Sequence, residues 1–369
     1  MNKRIVRRLA ALAATAGCAA LLVTQTPAGT WTRIGQGVAL AAVSLRQADA
    51  TAQRLSARLE RAPAAAGVSA AETTTGAHAA SADAVQTGGT TVETVPPPVI
   101  ESVEPPAEDG SGGRVVEQRV GGGTTEAGLT VKNKSGVSPD LGEALASPLP
   151  YQIEFGSPEP QVLIYHTHAT ETYMPYDAGY FNDGDTRREA DNPNNVRAVG
   201  DALAAALTAA GVTVLHDTTL HDSPSYRGAY DRSAATMEQA LREHPSIKVT
   251  LDIHRDGLMV NSIDKLKPTV TINGQKAAQL MVVCGVLTTD ALPHPNWRQN
   301  LCFAARLQKT LDDSYEGLAR PLSLVSARYN QYLSPGALLI EMGSEGNTTA
   351  EAAYTAQLLA EALVRLWKE

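Results

Sequence analysis

Gln161-Val-Leu-Ile-Tyr-His-Thr-His-Ala-Thr-Glu171 is an apolar run that stops in two histidines and a carboxylate. A short β-favouring run with no polar alternation describes a strand buried on both faces, the kind found in parallel sheets. The pattern around it agrees. Residues 195–210 read as a helix ended by Gly211, whose missing Cβ suits a left-handed cap. Residues 212–216 form the next strand, 235–243 a helix, and 247–253 (Ile-Lys-Val-Thr-Leu-Asp-Ile) another strand. Residues 269–272, the Asn273-Gly274 turn and 279–286 read as a hairpin extension. A helix over 297–311 and strands over 322–326 and 337–340 follow, and Thr348-x-x-Glu351 is a capping box opening the final helix. This alternation predicts one α/β domain over residues 158–369, a mostly parallel twisted sheet flanked by helices.

The N-terminal part is of another kind. The chain has 369 residues and a formal net charge of -8, and no aromatic residue stands between Trp31 and Tyr151. Without a basic run there is no electrostatic footprint for phosphates, which argues against nucleic-acid binding. Lys3, Arg4, Arg7 and Arg8 precede an uncharged Ala- and Leu-rich stretch, so residues 1–30 read as an export signal or single membrane anchor. No clear small-residue cleavage site follows, which favours a retained anchor. The positive-inside rule then places the bulk of the chain outside the cytoplasm as a single-pass membrane protein. Residues 31–61 suit a juxtamembrane helix. Residues 62–157, rich in Ala, Thr, Gly, Pro and Glu, bury too little apolar surface to offset backbone ordering and are expected to be a disordered linker. Cys18 sits in the anchor, while Cys284 and Cys302 lie in apolar stretches where a buried free thiol and a disulfide are both open.

Chemistry is expected where three strands stop. The strand from Gln161 runs into His166, His168 and Glu171, the strand from Ile247 into His254, and the strand from Ala337 into Glu341. In a parallel sheet the carboxyl ends of strands share one edge, so these side chains can converge. His168 and Glu171, spaced His-x-x-Glu, with His254 form a two-imidazole, one-carboxylate set of the catalytic zinc type. Glu341 is left as the catalytic carboxylate able to take a proton. It follows four apolar residues, where an unpartnered charge is costly, and this argues for a role. Glu345, four residues later in a Gly-rich loop, reads as a solvated or capping residue. His78, His216, His221, His244 and His294 read as structural or solvent facing.

Four ordered motifs carry a resemblance: Ile164-Tyr-His-Thr-His-Ala-Thr-Glu-Thr-Tyr173, His221-Asp-Ser-Pro-Ser-Tyr-Arg-Gly-Ala-Tyr-Asp-Arg-Ser233, Leu251-Asp-Ile-His-Arg-Asp256 and Leu339-Ile-Glu-Met-Gly-Ser-Glu-Gly-Asn-Thr348. From about Pro160 to the C-terminus the chain resembles the stage II sporulation protein P family, peptidoglycan hydrolases related to zinc-dependent N-acetylmuramoyl-L-alanine amidases. The resemblance implies a zinc amidase fold of the phosphorylase/hydrolase-like kind. It also implies cleavage of the amide between muramic acid and L-alanine, with cross-link endopeptidase cleavage as a second capacity. On this likeness the metal is Zn2+, held by His168 rather than His166 and by His254, with Glu341 catalytic. Relatives take a Glu from further along, where this chain reads Asp191-Asn-Pro-Asn-Asn195, so Glu171 is the third ligand of choice, with Glu189 or Asp191 as substitutes. His166, Arg255, Asp256 and Tyr226 are expected to contact substrate or brace the site, Tyr226 with Tyr230 lining the groove or packing beside it. The implied partners are peptidoglycan stem peptides and glycan strands, the cytoplasmic membrane, and a lytic transglycosylase and a membrane protein of the same sporulation stage. The implied setting is septal wall remodelling during engulfment. Two rival readings stay open: an inactive wall-binding scaffold, which has no need of Glu341 beside a metal, and a zinc carboxypeptidase of the His-x-x-Glu type, which needs a cation such as Arg255 for a free carboxylate.

Overall fold

The computed structural model describes residue 100 and residues 103–369, apart from residues 189, 191, 192, 288 and 290. The expected anchor (1–30), juxtamembrane helix (31–61) and first part of the expected linker lie outside the described residues, as do Cys18, His78, Glu189 and Asp191. Among the described residues no helix is long and apolar enough to cross a membrane.

Thirteen strands and five α-helices are described. They run β1 (Gly113–Glu117), β2 (Thr124–Glu126), β3 (Leu129–Asn133), α1 (Leu141–Ala146), β4 (Val162–Tyr165), β5 (Tyr180–Phe181), α2 (Val196–Ala209), β6 (Val214–His216), α3 (Ala229–Glu243), β7 (Val249–Asp256), β8 (Lys265–Lys267), β9 (Thr269–Ile272), β10 (Gln275–Ala278), β11 (Leu280–Gly285), α4 (Trp297–Ser314), β12 (Leu322–Val325), β13 (Ala337–Ser344) and α5 (Thr349–Lys368). Eight strands build the main sheet in the order β2-β3-β12-β11-β13-β7-β4-β6. Five of its seven neighbouring pairs are parallel; β2 with β3 and β11 with β13 are antiparallel. A mixed α/β fold with a large, mostly parallel sheet flanked by helices therefore holds.

Period-2 alternation sorts the strands into two unlike faces. Val249, Leu251 and Ile253 of β7, Leu338, Ile340 and Met342 of β13, and Leu280, Val282 and Cys284 of β11 enter one core with the buried faces of α2, α4 and α5. On the opposite face α3 packs through Met237 and Ala240 over Leu163 and Tyr165 of β4. Thr250, Asp252, His254 and Asp256 alternate with the core residues of β7, and the candidate pocket lies on this second face, over β7, β13, β11 and β12.

Helix boundaries follow local chemistry. The Asn195 side chain accepts the Arg197 N–H to open α2, and Gly211 beyond its end sits at φ +85°, where a Cβ is disfavoured. The Thr348 hydroxyl accepts the Glu351 N–H, and the Glu351 carboxylate accepts the Thr348 N–H, which completes the expected capping box of α5.

Two expectations are corrected. The disordered linker expected over 62–157 does not reach residue 157: β1, β2, β3 and α1 are ordered, β3 pairs with β12, and Leu129, Val131 and Leu141 are fully buried. Composition averaged over a long Gly- and Pro-rich stretch concealed them, because only a few alternate positions are apolar. Residues 279–286 are not the return strand of a hairpin. The turn at Asn273-Gly274, both at positive φ, joins β9 to β10, and β11 then enters the main sheet between β12 and β13. Cys284 and Cys302 are free and buried, so they do not pair.

Candidate active site

The register of the main sheet builds the site. β13 runs parallel to β7 with Glu341 opposite His254, and β11 places Met281 opposite Glu341. One row across the sheet therefore carries an imidazole, a carboxylate and a thioether on the same face. Asp252 lies two residues before His254, on that face, with its Oδ1 2.9 Å from His254 Nε2. The carboxylate sits off the ring N–H axis, so this contact is electrostatic rather than a formed hydrogen bond.

The loop after β4 brings the next groups. Thr167 donates its N–H to Asp252 Oδ1 (2.8 Å) and its hydroxyl to Asp252 Oδ2 (2.6 Å), and the chain then turns so that His168 faces His254, ring centroids 5.3 Å apart. Glu171 closes the third side, with Oε2 3.3 Å from His254 Nδ1. Oε2 also accepts the Arg255 N–H (3.0 Å), and Oε1 accepts from Arg188 Nη2 (2.8 Å). Arg188 further reaches Asp222 at 3.7 Å. Tyr226, 59% exposed, stacks on His168 with centroids 4.2 Å apart and planes 9° from parallel, and Tyr230 meets the same ring edge-on. The pocket holds about 400 Å³; Tyr329 closes one side and Met281, Val283, Val325 and Leu339 lie along the sheet.

Electrostatics separate the two carboxylates. Burial alone would raise the Glu171 pKa, but His254, Arg255 and Arg188 hold it near 2. Glu341 moves the other way: burial first, then the charges of Glu171 and Asp256, push it up to about 8 although His254 pulls against them. Its Oε2 is enclosed without a hydrogen-bond partner. Burial and the nearby His254 charge lower His168 to about 4, so it stays neutral near pH 7. Burial also opposes charge on His254, yet Asp252 and Glu171 raise its pKa well above the ordinary value.

Among the described residues no group of three or more His, Cys, Asp or Glu side chains already surrounds a common point. The donors nonetheless suit a divalent ion. His168 Nδ1 is buried without a hydrogen-bond partner, the His254 ring lies beside it, and a Glu171 oxygen faces His254 Nδ1. Two imidazoles and a carboxylate form a zinc-type donor set, and a proton on His254 Nδ1 meets the Glu171 charge in the metal-free protein.

His168, Glu171, His254, Glu341, Arg255, Asp256 and Tyr226 thus line one pocket. His166 does not. Its Nδ1 lies 2.9 Å from the Ile253 carbonyl and its Nε2 2.9 Å from His216 Nε2, against α2 at Gly200, where a Cβ would come within 2.8 Å of both rings. A substrate contact for His166 is therefore ruled out: it is the last strand-like position and points to the helix-covered face. Arg255 braces rather than reaches outward, donating Nε to the Thr172 carbonyl (2.9 Å) with Nη2 3.7 Å from Glu345. Asp256 accepts from Arg320 Nη2 (2.9 Å). Glu345, expected to be solvated or capping, faces the cations Arg255 and Lys265, each at 3.7 Å. His221 is buried, tied to the His166 carbonyl (2.8 Å) and Thr236 (2.9 Å). Sequence reasoning missed Asp252, Thr167, Arg188, Asp222 and Tyr329. Only Asp252 carried a signal, as a polar residue two positions before His254 in a strand.

The fold and pocket define an α/β protein with an acid–imidazole site on one sheet face. The stage II sporulation protein P family model matches residues 81–364, and the chain belongs to that family. Stage II sporulation protein P of Bacillus subtilis (strain 168) is 30% identical over 217 residues, 56% of this chain and 51% of the relative, so the chain spans about half of that relative's length. The crystal structure of N-acetylmuramoyl-L-alanine amidase from Clostridium difficile 630 is similar at 18% identity and a TM-score of 0.32, over 57% of this chain and 95% of that one.

Proposed function

We propose that this protein is a membrane-anchored peptidoglycan hydrolase that cleaves the N-acetylmuramoyl-L-alanine amide, and peptide cross-links as a second substrate, in septal wall remodelling during sporulation. The observation that carries the reading is the row formed by His254 and Glu341 in register, with His168 and Glu171 closing on His254, in a chain of this family. His168, Glu171 and His254 are the proposed holders of zinc, which when bound supplies Lewis acidity toward the amide carbonyl and toward water. Glu341 takes the proton of the attacking water and returns it to the leaving amine; a carboxyl raised to about 8 suits proton traffic near neutral pH. Arg188 and the Arg255 N–H hold Glu171 in its ionised, inward orientation. The Tyr226 ring, stacked on His168 at the mouth, and the apolar side chains of β11 and β13 offer surface to sugar and peptide. Working partners in this reading are glycan strands, the cytoplasmic membrane, and a lytic transglycosylase and membrane protein of the same sporulation stage.

Glu341→Gln tests it. Release of stem peptides from purified sacculi, followed by mass spectrometry, is expected to fall by at least about 100-fold, the scale of a lost acid–base group, while zinc content stays at the wild-type level. Full activity in that variant removes Glu341 from the mechanism. A zinc-loaded wild-type chain that binds sacculi and releases nothing supports the scaffold reading instead.

A further inference from the structure

We propose that Thr167, Ser233 and Asn330 are positioning residues that aim His254 through Asp252; the inference rests on the metal-site reading above. The four polar residues form an unbroken buried chain. Asn330 Nδ2 donates to Ser233 Oγ (2.9 Å), Ser233 Oγ lies 2.7 Å from Thr167 Oγ1, and Thr167 Oγ1 donates to Asp252 Oδ2 (2.6 Å). All four are at least nine-tenths buried.

Proton inventory sets the direction of every link. An ionised carboxylate only accepts, so the Thr167 hydroxyl spends its single proton on Asp252 and must accept from Ser233. Ser233 then accepts from the Asn330 amide, although its hydroxyl also has the Tyr230 carbonyl at 3.3 Å, a longer alternative. The chain ends on a carboxylate 2.9 Å from His254 Nε2. Although off the ring axis, the negative charge of that carboxylate favours a proton over a lone pair on the nearby Nε2, so Nε2 carries the proton and Nδ1 is the nitrogen left for Glu171 and a metal ion.

Two further features point to positioning rather than bulk stability. The Thr167 N–H also bonds Asp252 Oδ1 (2.8 Å), so one carboxylate clamps the loop that presents His168 and the ring of His254. At the far end, Tyr329 (φ +41°) and Asn330 (φ +60°) hold left-handed conformations that cost non-glycine residues energy, and Tyr329 lines the pocket. The Asn330 amide, bonded to Ser233 and to the Tyr230 carbonyl (3.1 Å), keeps that turn in place.

The test compares Thr167→Val, Thr167→Ser and Ser233→Ala in the full chain, reading zinc affinity by chelator competition and unfolding of the metal-free protein. Thr167→Val is expected to weaken zinc binding about tenfold or more, the usual effect of losing an outer-shell partner, with Ser233→Ala weaker in the same direction. Thr167→Ser, which keeps the hydroxyl, restores wild-type affinity. Unchanged affinity in Thr167→Val, or equal loss in Thr167→Ser, overturns the proposal. If Thr167→Val does not fold, Ser233→Ala decides alone: wild-type zinc affinity in that variant overturns it. A wild-type chain that takes up no zinc defeats the metal reading itself, a distinct result from a wild-type chain that binds zinc and variants that match it.

Discussion

Glu341 and Glu171 are two carboxylates in one pocket with opposite fates, and the difference comes from their partners. Glu171 is bonded to a guanidinium and a backbone N–H and sits against an imidazole, whereas Glu341 Oε2 has no hydrogen-bond partner, and the charges of His254 and Arg320 do not outweigh its burial. The histidines divide as well: Asp252 and Glu171 raise the His254 pKa well above its ordinary value against burial, whereas His166 and His168 fall below it. His166 is buried against His216 and α2, and burial followed by the His216 charge lowers its pKa from 6.5 to about 3. His168 falls to about 4. For a group with a depressed folded pKa, the unfolded chain binds the extra proton, so stability is whole above pH 6.5 and is lost as the pH falls toward those values. Glu341, raised to about 8, acts in the opposite sense between pH 8 and 4.5 and offsets one of the two imidazoles. The metal-free protein is therefore expected to lose melting temperature steadily between pH 6.5 and 4; a flat profile there would mean that these histidines are solvated.

At the scale of elements, α5 shows how a local signal and a tertiary role coincide. Its capping box is written in Thr348 and Glu351, and Glu351 also pairs with the buried Lys267 of β8 at 2.6 Å. Thr348→Ala removes the acceptor for the Glu351 N–H and is expected to cost about 1 kcal/mol, read by urea unfolding. A cost below about 0.3 kcal/mol would show that packing of α5 on α2 carries the helix end without its cap. Strands β4 and β13 were legible because their apolar runs are continuous, and β7 because apolar residues alternate along it with polar ones. The role of β11 was not: a turn signal at Asn273-Gly274 shows where the chain reverses, but nothing local says which following segment pairs back and which joins another sheet.

For the whole molecule, the ordered unit begins well before residue 158. Leu129, Val131 and Leu141 are buried to within 1% of exposure, and each contributes roughly 1.5–3 kcal/mol by leaving water. A fragment of residues 158–369 also uncovers the β12 edge that β3 occupies. It is expected to aggregate or unfold at low denaturant, while residues 103–369 unfold cooperatively; equal midpoints for the two fragments would return 103–157 to the status of a linker.

The sequence by itself determined the α/β alternation, the strand ends that carry His168, Glu171, His254 and Glu341, and the family, because buried strands and cap residues are written locally. Which face each side chain takes was decided only by tertiary structure. A strand slipped by one position would exchange Glu341 for Ile340 beside His254, and that choice is made by long-range pairing between β7 and β13 together with the helices that cover one face. The hydroxyl and amide chain behind Asp252 joins residues 66 to 97 positions apart in sequence, and no local pattern marks it.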